Sequence, residues 1–176
     1  MRLSTLFPAI ALVVAPAALA GDDTLVSDAR AAIQTFKKKD PQIDKFFGSA
    51  AGYAVFPTIA KGGFVVGGAG GDGVLFVGGH PVGKSSMGQA SVGFQLGGQV
   101  YSEIIFFETP STLSAFKKGN FALAAQASAV ALSAGAAATA NYENGVAIFT
   151  ATKTGLMYEA SVGGQKFGYQ PFGAKK

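Results

Sequence analysis

The sequence contains no cysteine, no tryptophan and a single histidine in 176 residues. Without thiols there is neither a disulfide framework nor a cysteine-ligated zinc site, and His80 alone cannot supply the histidine pair that most other zinc sites use. Charge is scarce as well: 14 basic and 10 acidic residues leave a formal net charge of +4. That is a mildly basic balance without the dense basic surface of a nucleic-acid binder. Proline is ordinary at 7 residues, and the 25 glycines follow no third-residue period, so a collagen-type chain is excluded. No cofactor, metal or nucleic acid is expected from this inventory.

What is present is apolar and flexible. Hydrophobic residues make up 49% of the chain, with 15 Phe, enough to bury a core and to exclude wholesale disorder. The first twenty residues stand apart. Met1 and Arg2 give a positive start, residues 6–14 an apolar core and Ala18-Leu19-Ala20 a small-x-small cleavage site, the three parts of a secretory signal peptide. A membrane anchor is the alternative, but this stretch is short and broken by Pro8 and Pro16, whereas a span needs about 20 apolar residues. The expectation is an exported chain, periplasmic or secreted, cleaved near Ala20, with one domain over 21–176. No Cys follows the cleavage point, so lipidation through cysteine is ruled out.

Leu25, Ala29, Ala32, Ile33 and Phe36 recur at helical spacing and predict an amphipathic helix over 23–38, capped by Asp23 or Thr24. Lys37, Lys38 and Lys39 at its end complement the negative pole of the helix dipole. Asp40 offers a second cap and Pro41 a first helical position, opening a short helix through Ile43, Phe46 and Phe47 to Gly48. Beyond Gly48 the character changes, with 16 of the 25 glycines between Gly48 and Gly98. Segments 53–56, 64–66, 74–77, 90–96 and 100–107 are short, rich in Val, Ile, Phe and Tyr, and predict an antiparallel sheet. Thr109, Pro110 and Gly119 bracket a small helix at 111–118. The alanine-rich stretch 121–140 suits a helix by propensity, but its glycine, serines and threonine favour strands, including one at 136–142. Asn144-Gly145 then predicts a tight turn into a strand at 146–152, and strands at 156–162 and around Phe167 and Tyr169 close the chain.

Two nucleotide motifs occur, and both fail on context. Gly78, Gly83, Lys84 and Ser85 satisfy G-x-x-x-x-G-K-[ST], but that chemistry needs a helix starting at the lysine, and the glycine-rich 85–98 is a poor helix. Gly68, Gly70 and Gly73 match G-x-G-x-x-G yet lead into a strand. A serine triad would have to use His80, placed in a Gly-Gly-His-Pro turn without a nucleophile elbow. Glu103 and Glu108, five apart on one strand, fall on opposite faces and cannot pair as acid and base. A nucleotide hydrolase built on 78–85 is a minor alternative.

Gly52-Tyr53-Ala54-Val55-Phe56-Pro57, followed by Lys61-Gly62-Gly63-Phe64 and Gly67-Gly68-Ala69-Gly70-Gly71-Asp72-Gly73-Val74, resembles the opening signature of the SYLF domain family. Gly93-Phe94-Gln95-Leu96-Gly97-Gly98-Gln99 resembles its second glycine-rich strand, and Gly155-Leu156-Met157 with Ser161-Val162 its closing strand. The resemblance implies a lipid-associated binding domain without catalytic activity. Eukaryotic members bind acidic lipids, largely through a basic amphipathic N-terminal helix, and some bind actin, an unlikely partner for an exported protein.

The expected fold is α+β: a strongly bent antiparallel sheet or partly closed barrel packed with two N-terminal helices and one short central helix. The expected function is binding to a phospholipid or membrane surface. Lys37, Lys38, Lys39 and Lys45 meet acidic headgroups while Phe36, Phe46 and Phe47 enter the interface. The alternative is a structural envelope protein in which those phenylalanines are core, and for Phe46 and Phe47 the core role is the preferred one. Each lysine near an anionic bilayer contributes about 1 kcal/mol, so three alone give weak, salt-sensitive attraction.

Overall fold

The computed structural model describes residues 17–63, 66–92, 98–154 and 160–173. Residues 1–16 of the expected signal peptide 1–20 and the strand assignments at 64–65, 93–96 and 156–159 lie outside these. Helix α1 spans Ala17–Lys39. It begins ahead of the expected caps Asp23 and Thr24, because Ala and Leu at 17–20 are strong helix formers and nothing interrupts them. Its stripe Ala29, Ala32, Ile33 and Phe36 is buried. Asp40 leaves the helix with extended backbone, φ −150° and ψ 100°, and its carboxylate accepts from the Gln42 N–H at 3.1 Å. That bond caps a single 3-10 turn, Pro41–Ile43, which runs into α2, Asp44–Ser49.

The strands follow as β1 Gly52–Gly63, β2 Val66–Val77, β3 His80–Val92 and β4 Gln99–Phe107. After α3, Pro110–Lys117, come β5 Phe121–Ala122, β6 Ser128–Ala131, α4 Ala136–Thr139, β7 Val146–Thr154, β8 Ala160–Ser161 and β9 Lys166–Pro171. The sheet order is β5-β9-β3-β2-β1-β4-β7-β6-β8, curled into a half-barrel, so the α+β expectation with a bent sheet and three of its helices holds. One pairing corrects the purely antiparallel expectation: β6 runs parallel to β7. It does so because the chain crosses from the β5–β9 edge to the β7 edge before pairing.

Curvature has local causes. Register shifts interrupt β1 against both its neighbours, β2 against β3 and β4 against β7, and such irregularities bend and twist a strand. Gly73 permits close approach: a Cβ there would stand 2.6 Å from both the Phe56 ring and the Val55 carbonyl oxygen. Both faces of the sheet are covered, so β4 is buried throughout from Tyr101 to Phe107 instead of alternating. On one face Phe76, Phe106 and Phe149 meet Phe36 and Phe46 from the N-terminal helices. On the other, Phe56, Tyr101, Ile105 and Phe107 meet Leu113 and Phe116 of α3.

The stretch 121–140 is only partly strand. Where a strand was expected at 136–142, the chain forms α4 instead. Its support comes from far away in sequence. The Ala137 N–H donates to Asp40 Oδ2 at 2.7 Å, and Lys45 Nζ donates to the Ala138 and Ala140 carbonyls at 2.9 and 3.0 Å. Opposite charges thus sit at the two ends of a four-residue helix, in the sense the dipole favours.

Candidate functional site

Arg30, Gln34 and Lys37 are spaced i, i+4, i+7 and therefore share one side of α1, next to the buried stripe. They form one wall of an open groove of about 630 Å³. The opposite wall is the β2–β3 turn, where Gly78 and Gly79 take left-handed backbone at φ 59° and 79°, and Tyr53 contributes to the floor. Two cations and no carboxylate line this groove among the described residues. The Arg30 guanidinium lies over the Phe76 ring at 5.6 Å and the Lys37 ammonium over Phe47 at 4.5 Å, so both heads are positioned by aromatic faces.

The expected lipid-contact residues divide. Lys38 and Lys39 are exposed at the end of α1. Lys37 is half-buried and ion-paired with Asp44 at 2.7 Å. Lys45 is exposed, but its ammonium is committed to α4 and stacks on Phe46 at 4.9 Å. Phe36 is fully buried and Phe46 is 2% exposed, so Phe46 takes the core role preferred for it, and in this conformation neither side chain faces a lipid interface. The reason is packing: both fill the layer between the N-terminal helices and the sheet, where Phe46 contacts the rings of Phe106, Tyr142 and Phe149. Phe47 is half-buried, edge-on to Tyr53 and Phe106. Arg30 and Gln34 were not singled out from sequence, although the i, i+4, i+7 spacing to Lys37 was the available signal.

The nucleotide motif resolves into a turn and a strand. Gly78 and Gly79 make the turn, and Lys84 and Ser85 stand in β3, where alternation sends them to opposite faces. Lys84 pairs with Asp72 of β2 at 3.1 Å, while Ser85 is buried. No helix opens at the lysine, so the phosphate cradle is not built. Gly68, Gly70 and Gly73 all lie within β2. His80 is exposed at the start of β3, Glu103 is buried in β4, and Glu108 is exposed just past its end. These three groups do not converge.

Residues 88–170 match the family model described as "Ysc84: Las17-binding protein actin regulator". That segment matches the SYLF family, in line with the resemblance read from the sequence. The matched segment is slightly under half the chain and runs from the second part of β3 into β9. It includes the glycine-rich 93–99 and the closing 155–162, whereas the signature at 52–74 precedes it. A comparison with curated proteins finds no match. The SYLF family is associated with lipid and actin binding. No helix among the described residues is long and apolar enough to cross a membrane.

Proposed function

We propose that the protein is a non-enzymatic lipid-binding domain of the cell envelope, exported and cleaved near Ala20, that meets acidic phospholipid headgroups with the cationic side of α1. The observation that carries this reading is the α1 groove, lined by Arg30 and by Lys37, whose ammonium is paired with Asp44, with exposed Lys38 and Lys39 at the end of the same helix. Lys45 contributes field but not a free ammonium, and Phe36 and Phe46 hold α1 and α2 on the sheet. The actin regulation in the family's description is not carried over, because an exported chain does not meet actin. Sedimentation with vesicles tests the reading: binding to vesicles containing phosphatidylglycerol, with little to pure phosphatidylcholine, supports it.

A purely structural envelope protein is the second reading, favoured by the burial of Phe36 and Phe46. It predicts no sedimentation with either vesicle.

A further inference from the structure

Inside the half-barrel lies a group of polar side chains that the lipid reading does not use. Glu103, at the centre of β4, is 0% exposed and shares its face with Tyr101, Ile105 and Phe107. Its Oε2 accepts from Gln165 Nε2 at 3.1 Å. Glu103 Oε1, Gln165 Oε1 and Thr150 Oγ1 are buried and have no hydrogen-bond partner. Thr150 is the residue directly opposite Glu103 on β7. Gln165 precedes β9, a strand well removed from β4 in the sheet order, so the Glu103–Gln165 bond closes across the interior.

The backbones of these two partners hold a strap. The Gln165 carbonyl accepts from the Leu123 N–H at 2.9 Å, and the Thr150 carbonyl from the Leu132 N–H at 2.8 Å. Residues 123–132 run between these two points, carry no charge, and help enclose a cavity of about 540 Å³ against β7. Both ends of the strap are therefore seated on residues whose side chains flank one buried carboxyl.

The three unpartnered atoms are oxygens that share one hydroxyl proton, that of Thr150, and a proton on Glu103 supplies a second donor. Ionised, Glu103 is a buried charge that no cation among the described residues neutralises, because the groups facing it are Phe56 of β1, Tyr101 of β4, Thr150 of β7 and Gln165. Tyr101 is the titratable one among them, and burial first, then Glu103 itself, push its phenol well up, so it stays neutral. Burial pushes the Glu103 carboxyl up to about 7, against a smaller lowering by the Gln165 bond.

We propose that Glu103 is a proton-operated latch for the 123–132 strap: protonated, it keeps the strap seated and the interior dry; ionised, it draws in water, unseats the strap and opens the cavity. Amide hydrogen exchange on the full chain, corrected for intrinsic rates, reads this directly. Between about pH 4.5 and 7 the protection of Leu123 and Leu132 is expected to fall by up to about tenfold per pH unit, one proton being released per opening, and to level off above, while Val55 and Ile105 in the central strands keep theirs. Glu103→Gln, which keeps an uncharged side chain of the same shape, is expected to hold the strap protected across the range. Flat protection in the native chain, or an unchanged fall in Glu103→Gln, overturns the proposal. A carbon-13 titration of the native Glu103 carboxyl gives a readout that needs no variant. Its midpoint coincides with the pH at which strap exchange levels off if the latch is real, and a gap of more than about one pH unit overturns it.

Discussion

Asp40 shows how much one residue can organise here. Its two oxygens accept from Gln42 and Ala137, joining the first turn after α1 to the start of α4. The Ala137 bond is the largest influence on its carboxyl, which is held below its ordinary value of 3.8. A lowered carboxyl contributes stability above its unfolded value and loses it as pH falls through the folded one. Asp40→Asn is therefore expected to melt at lower temperature near neutrality, with the gap to the native chain shrinking as pH drops below 3.8; melting curves across pH check it. Glycines give a second residue-scale test. Gly73→Ala forces a methyl against backbone and ring, an overpacking worth about 1 to 3 kcal/mol, whereas Gly88 has nothing within 4 Å and Gly88→Ala is expected to be neutral or stabilising. Urea midpoints of the two variants decide between crowding and mere glycine flexibility.

Elements that carry their own signal were legible in the sequence. The period of Ala29, Ile33 and Phe36, the Asp40-Pro41 start and the Thr109-Pro110 start all locate real helices, the last with the Thr112 N–H donating to Thr109 Oγ1 at 3.2 Å. Asn144 and Gly145 form the expected turn, with φ 51° and 81°. What was not legible depends on distant partners. Helix α4 has no local start signal, because its cap and its cation arrive from Asp40 and Lys45. The parallel direction of β6 follows from the strap's path, which no local pattern encodes. Among the elements, α3 makes the sharpest prediction. Phe116 is fully buried and contacts the rings of Phe107, Phe121 and Phe167. Phe116→Ala is expected to cost about 3 to 5 kcal/mol and to loosen β5 and β9 together, measured by chemical denaturation and by exchange at Phe121 and Phe167.

At the scale of the whole molecule, a sheet covered on both faces leaves function to its edges and to the outer side of α1. The cationic cluster there was visible in the sequence, whereas the commitments of Lys37 to Asp44 and Lys45 to α4 required the fold. The interior sets the pH dependence. A carboxyl raised from 4.5 to about 7 contributes stability fully below 4.5, and that contribution is lost as pH rises through about 7. The native chain is expected to resist urea better at acid than at alkaline pH, by up to about 3 kcal/mol, and Glu103→Gln to remove most of that slope. The surface sets the partner. Arg30, Lys37 and Lys38 lie toward one side of α1, with Lys37 paired to Asp44 and Lys39 round the helix end, and each free charge near an anionic bilayer adds about 1 kcal/mol that salt screens. The decisive measurement is sedimentation of the native chain and of the Lys38→Glu/Lys39→Glu variant with phosphatidylglycerol vesicles at low and high salt. Binding that weakens about tenfold or more in the variant and falls with salt is the predicted result. Binding that is absent, or equally strong in both proteins and at both salt concentrations, contradicts it.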